Sequence, residues 1–152
     1  DRTAAWRRRL NPSEAMLRLH ASAAAWCGRG ILVRGASGSG KSALITDLLA
    51  AGAHLVADDL VQVERRRGGL YATAVTETGL IELRGNGIFR LATTVGVQVT
   101  LCVELAVGFE SERLPACATV PIAGVELPRL LLRGDAPAAA QVLIALTARR
   151  AH

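Results

Sequence analysis

The 152 residues suffice for one domain with a real core, and with aromatics at only 3% that core must be aliphatic, built on Ala, Leu and Val. No apolar stretch approaches the ~18 residues a membrane span needs, which argues against a bilayer role. The net charge of +5 invites nucleic acid, yet the arginines are scattered outside Arg7–Arg9 and Arg65–Arg67 and few rings are available to stack on bases; a basic face for phosphorylated or acidic partners is the better reading.

In chain order, the first residue is Asp1 rather than Met, as expected of a start inside a longer translated chain. Arg7-Arg8-Arg9 lacks the apolar stretch that a secretory signal requires after its basic end. Ala15 to His20 alternates and predicts a short strand, and Gly28-Arg29-Gly30 turns the chain into an apolar strand at Ile31-Leu32-Val33. A helix-compatible run, Ser42 to Ala51, ends at Gly52, a natural residue just past a helix C-terminus. His54 to Ala57 reads as a strand running into Asp58-Asp59. Val61 to Glu64 and Leu70 to Val75 alternate around Arg67-Gly68-Gly69, an antiparallel hairpin. Gly79 to Leu83 and Val95 to Val107 add strands, and Pro137 to Arg150 closes the chain with a helix. The fold class is therefore mixed α/β with a hairpin-rich sheet, unlike an ordinary doubly wound fold. Cys27, Cys102 and Cys117 form no Cys-x-x-Cys pair and read as small buried hydrophobes of a reducing compartment, the cytoplasm.

Two features carry chemistry. The first is Gly35-Ala36-Ser37-Gly38-Ser39-Gly40-Lys41-Ser42, which holds the only lysine among 18 basic residues. This G-x-x-x-x-G-K-S pattern stands between a strand and a helix, the context it requires. Its glycines let backbone N–H groups turn around phosphate oxygens, and the helix N-terminus adds donors and a favourable dipole. Lys41 would reach the β- and γ-phosphates and Ser42 would ligate Mg²⁺. The second is Asp58-Asp59, 17 residues beyond Lys41 at a strand end, where α/β folds place ligand-binding groups. Adjacent carboxylates repel, which suits one to proton transfer while a cation stabilises the other.

The chain resembles the C-terminal catalytic domain of HPr kinase/phosphorylase, the bifunctional enzyme acting on a serine of the phosphocarrier protein HPr. The resemblance rests on His20, the glycine-rich loop, Gly52 to Asp59, and above all Ile81-Glu82-Leu83-Arg84-Gly85-Asn86-Gly87-Ile88, similar to the family's E-I-R-G-x-G-I signature. It covers about residues 15 to 135; the expectation is a form without the family's N-terminal domain, and the region after Pro121 matches poorly. A compact form without that domain is known in bacteria whose phosphotransferase proteins are mainly regulatory, and this chain is similar to it.

The resemblance implies a nucleotide domain like that of phosphoenolpyruvate carboxykinase, ATP and Mg²⁺ as cofactors, an HPr-like partner, inorganic phosphate and pyrophosphate in the reverse direction, and a homo-hexamer. It makes Asp58 the general base toward the target serine and the acid in reverse. Asp59 and Glu82 would hold Mg²⁺ or orient Asp58, His20 would sit near the transferred phosphoryl group, and Arg113 would neutralise transition-state charge. On residue type alone, His20 could cap a loop, Glu82 and Arg84 could pair along one strand, and Arg113 is indistinguishable from a surface arginine. Two rival functions remain open: a kinase or NTPase with a small-molecule substrate, and a nucleotide-sensing module without chemistry.

Overall fold

Alternating and fully apolar runs, cut by X-Gly pairs, set the architecture. The computed structural model describes residues 15–36, 38–75, 79–83, 85–94, 96–106, 119–133 and 138–148. These form β1 (Met16–Leu19), β2 (Ser22–Trp26), β3 (Arg29–Gly35), α1 (Lys41–Ala50), β4 (His54–Ala57), β5 (Val61–Arg66), β6 (Gly69–Ala74), β7 (Leu80–Leu83), β8 (Gly87–Arg90), β9 (Val97–Ala106), β10 (Thr119–Ile122), β11 (Val125–Arg133) and α2 (Ala138–Thr147). Nine strands make one mixed sheet in the order β1-β5-β6-β9-β3-β2-β4, with β11 beside β9 and β10 beside β11; β7 and β8 form a separate hairpin.

Three hairpins close on two-residue turns with positive φ at both positions: Cys27-Gly28, Arg67-Gly68 and Ala123-Gly124. That is the type I′ turn, whose twist matches the flanking strands. The first of them corrects one expectation: Cys27 is exposed at a turn, and only Cys102 is buried, while Cys117 lies outside the described residues.

The sheet buries both faces. One carries Leu32, Val56, Val61, Val63, Leu70 and Cys102 under the β10–β11 hairpin; the other packs Ile31, Val33, Leu55, Leu101 and Val103 against Leu44, Ile45 and Leu48 of α1 and Val142 and Leu146 of α2. Arg29 ties the second helix down by donating to the Leu146 carbonyl at 2.7 Å.

β9 changes partners midway, from β6 at Val97–Val99 to β11 at Cys102–Ala106. Its register with β3 slips at that point: Gly30 faces Val99 and Ile31 faces Leu101, so Thr100 is an extra residue. The bulge reverses the alternation, which is why Val97 and Val99 enter one core and Leu101 and Val103 the other. It also requires glycine opposite: a Cβ on Gly30 would stand 2.7 Å from the Gln98 carbonyl oxygen.

The predicted strands at 54–57, 61–64, 70–75, 79–83 and 95–107 and the predicted helices all form, within a few residues of their expected ends. β2, β8, β10 and β11 are additional.

Candidate active site

β2 is antiparallel to both of its neighbours, β3 and β4, so these two run the same way and end together, beside the start of β2. Three chain segments thereby reach one end of the sheet: the loop after β3, the acidic pair after β4, and the residues entering β2. The ends of parallel strands in such sheets are where ligands bind.

Within the loop, Gly38 and Gly40 hold φ of 81° and 100°, left-handed values that only glycine adopts freely. Gly35 is small for another reason, because a Cβ there would lie 2.5 Å from Ser39 Oγ. That hydroxyl is itself buried without a hydrogen-bond partner. Lys41 folds its ammonium back over the loop, donating to the carbonyls of Gly35 at 2.8 Å and Ala36 at 3.2 Å. The first intrahelical bond of α1 runs from Leu44 N–H to Gly40 O at 2.9 Å. Gly40, the capping residue, brings no side-chain acceptor, and no acid stands in the first turn. The leading N–H groups and the positive end of the helix are thus left for an external anion.

Asp58 is aimed at this loop by a second irregularity. Along β2 and β4, Ala23 pairs with Ala57 and Ala24 with Leu55, leaving Val56 as an extra residue. Leu55 faces the helices, while Val56 and Ala57 both enter the opposite core. The next side chain, Asp58, therefore returns to the helix side, where an unbulged strand would have sent it to the other. There it accepts the Ser42 hydroxyl at 3.1 Å (Oδ1) and 3.2 Å (Oδ2). It also accepts the Ser22 hydroxyl at 2.8 Å on Oδ1. Its neighbour Asp59 is exposed, at φ 70°, with its backbone N–H on Ser22 Oγ at 3.2 Å.

Beside Asp58 lies a small cavity of about 30 Å³ lined by Ala57, Leu60, Ala74, Gly79 and Leu80. Gly79 and Leu80 bring the root of the β7–β8 hairpin against Asp58; Glu82 stands two residues further along, exposed. His20 is exposed in the β1–β2 connection, two residues before Ser22. The structure thus brings together Gly35, Ala36, Gly38, Ser39, Gly40, Lys41, Ser42 and Asp58, with Asp59 next in the chain; Glu82 and His20 are exposed, and no hydrogen bond joins either of them to Asp58. Among the described residues, no three His, Cys, Asp or Glu side chains converge on one point. Ser37, Arg84 and Arg113 lie outside the described residues.

Two arrangements were not legible in the sequence. Ser22 sits in an alanine run with nothing to mark it. On the opposite face from the loop, Arg34, the residue before Gly35, pairs with Glu104 of β9, which also takes Arg129 of β11 at 3.1 Å. Burial opposes ionisation of Glu104, but the two guanidiniums outweigh it and hold the carboxyl below its ordinary range. Burial likewise opposes the charge on Arg34, and Glu104 outweighs it in turn. Burial pushes the nearby Cys102 thiol up to about 11.

Residues 13–111, more than half of the chain, match the family model of the HPr Serine kinase C-terminal domain. The chain belongs to this family. It is 41% identical over 85 residues to the HPr kinase/phosphorylase of Clostridium kluyveri, covering 55% of this chain and 28% of that protein. Its identity to the HPr kinase/phosphorylase of Chlorobium phaeobacteroides is 34% over 119 residues, covering 69% of this chain and 37% of the relative. The chain thus spans about a third of the length of these curated relatives. The solved HPr(Ser) kinase/phosphatase of Coxiella burnetii superposes with a TM-score of 0.71 at 23% identity, over 83% of this chain and 91% of that one, and shares the mixed α/β fold. The HPr kinase match includes the loop, Asp58-Asp59 and the segment from Ile81 to Ile88.

Proposed function

We propose that this chain is the catalytic domain of an ATP- and Mg²⁺-dependent protein-serine kinase that phosphorylates a serine of an HPr-like phosphocarrier protein. The observation that carries the reading is the contact of Ser42 with Asp58, which joins the phosphate-binding loop to the acid in one site. Membership of the HPr kinase family supplies the substrate class.

The residues suit the nucleotide. An uncapped helix N-terminus, the glycines of the loop, the buried unpartnered Ser39 hydroxyl and the Lys41 ammonium offer donors to phosphate oxygens. Ser42 and the neighbouring carboxylates are hard oxygen ligands of the kind Mg²⁺ takes. The cation would supply charge neutralisation on the phosphates. On the protein side, Lys41 leaves its two loop carbonyls for the phosphates, and Asp58 takes the proton of the attacking serine hydroxyl. Asp59 and Glu82 would complete the metal environment or orient Asp58, while His20 and Arg113 would face the transferred group.

In reverse, phosphate attacking the seryl-phosphate yields pyrophosphate, with Asp58 returning its proton to the serine. The same loop serves both directions because its donors read phosphate oxygens and not the base. A cytoplasmic setting, in keeping with the free thiols of Cys27 and Cys102, accompanies this reading; a homo-hexamer and a likeness to the phosphoenolpyruvate carboxykinase nucleotide domain accompany it by resemblance alone. Its test is incubation with labelled ATP, Mg²⁺ and the host's HPr homologue: label on a serine is expected, and ATP consumed only with free metabolites would replace the protein substrate by a small molecule.

A further inference from the structure

Ser22 is the one polar residue buried as a whole among the described residues, 0% exposed at the first position of β2. A hydroxyl so placed must be satisfied by its neighbours. Its oxygen accepts the Asp59 N–H at 3.2 Å, and its proton goes to Asp58 Oδ1 at 2.8 Å. The direction is set by chemistry: a backbone N–H can only donate, so Ser22 accepts there, and its single proton has Asp58 as acceptor. From the other side Ser42 reaches the same carboxylate out of α1. The Asp58 carboxylate is thus held between a hydroxyl of the sheet and a hydroxyl of the phosphate-binding loop.

These two tethers differ in what else they must do. Ser42 belongs to the loop that receives the nucleotide, and its oxygen is offered to the cation. Ser22 sits in a strand paired on both sides, away from solvent, with no further task visible around it. We propose that Ser22 is a positioning residue: it holds the Asp58 carboxylate, and the backbone turn at Asp59, in one orientation beside the cavity lined by Ala74, Gly79 and Leu80, independently of the state of the loop. This rests on the reading of Asp58 as the base and specifies how that base is aimed. A base must come within about 2.6–3.2 Å of the oxygen whose proton it takes. Loss of the tether therefore shows as a slower transfer step and not as weaker nucleotide binding.

The test uses the whole chain with ATP, Mg²⁺ and HPr, comparing Ser22→Ala, Ser22→Thr, Asp58→Asn and the double variant Ser22→Ala/Asp58→Asn. Ser22→Ala should slow single-turnover transfer by roughly 10- to 100-fold, the scale expected when a reacting group is misplaced by about 1 Å. Its affinity for ATP should stay within about 2-fold, because no phosphate-binding group is removed. Ser22→Thr, which keeps the hydroxyl, should recover most of the rate. In the Asp58→Asn background the Ser22→Ala change should cost nothing further, since a tether has no effect once the base is gone. Should threonine prove too large to fold, this cycle still decides.

A second readout does not depend on activity: hydrogen exchange of the Asp59 amide should accelerate in Ser22→Ala while core amides such as Leu32 and Val103 stay protected. An unchanged rate in Ser22→Ala, a loss that multiplies with that of Asp58→Asn, or unchanged Asp59 exchange would each overturn the tether. If the wild-type chain transfers nothing to HPr, the kinase reading falls, and the Asp59 exchange still decides whether Ser22 holds the turn.

Discussion

Replacing Asp58 by asparagine separates its chemical role from its structural one. The amide keeps the volume and can still accept the Ser22 hydroxyl on Oδ1, turning its NH₂ toward the Ser42 oxygen. What is lost is one negative charge and the charge-assisted character of two hydrogen bonds, given by contacts at 2.8 Å and 3.1 Å. At about 1 kcal/mol for each such bond, the fold should lose roughly 1–2 kcal/mol, well inside the stability of a domain this size. The reaction loses far more. A missing general base costs ~10²–10⁴ in rate, equivalent to about 2.7–5.5 kcal/mol of barrier. The assay is single-turnover transfer to HPr beside a direct titration of ATP with Mg²⁺, with thermal unfolding to confirm the fold. Transfer should collapse while nucleotide affinity changes little. If ATP binding falls as steeply as transfer, Asp58 serves chiefly as a cation ligand, and the contact with Ser42 must be reread in that sense; if transfer is unaffected, Asp58 is not the base.

Lys41→Ala should abolish transfer in both directions together, while melting shifts by no more than about 1 kcal/mol, because among the described residues the ammonium donates to two loop carbonyls; an unchanged transfer rate would remove the loop from the mechanism. Glu104→Gln removes the anion that Arg34 and Arg129 share, and with these side chains 23–33% exposed the loss should be about 1–3 kcal/mol by denaturant titration. The pH dependence has a definite sign: a carboxyl held below its unfolded value contributes stability above that value, about 4.5, and loses it as pH falls toward the folded one. Wild type should therefore lose stability on acidification through that window faster than Glu104→Gln does. Cys102, buried with its thiol pushed up to about 11, should resist alkylation at pH 8 in the native state while exposed Cys27 reacts, as read by peptide mass mapping.

The elements that announced themselves in the sequence are those with a local signature. The glycine-rich loop between Val33 and α1, the Gly52 stop, the alternation of Val61-Gln-Val-Glu around Arg67-Gly68 and the apolar strand ending at Asp58 were all visible, since period and turn chemistry are written in adjacent residues. β2 was hidden because Ser-Ala-Ala-Ala-Trp has neither alternation nor β-branched residues; it is buried on both faces, where small side chains suffice between β3 and β4. β11 was hidden by Pro128, which ends the pairing with β10 one residue before Arg129 begins pairing with β9. The site was legible as a set of residues but not as a geometry. That Asp58 and not Asp59 meets Ser42 depends on the bulge at Val56, a register slip between β2 and β4 that no single segment records. Ser22 joins the site only because that pairing brings the start of β2 to the end of β4. The Arg34–Glu104–Arg129 cluster likewise exists only once three strands lie side by side.

In the proposed reaction the loop and Asp58 together move a phosphoryl group onto a protein serine. The most direct measurement mixes the chain with γ-labelled ATP, Mg²⁺ and the host's HPr homologue, and maps the label by mass spectrometry. A stoichiometric phosphoserine on HPr that disappears with Lys41→Ala and with Asp58→Asn is the predicted result. ATP bound tightly, with HPr left unmodified by a fully folded wild-type chain, would contradict it.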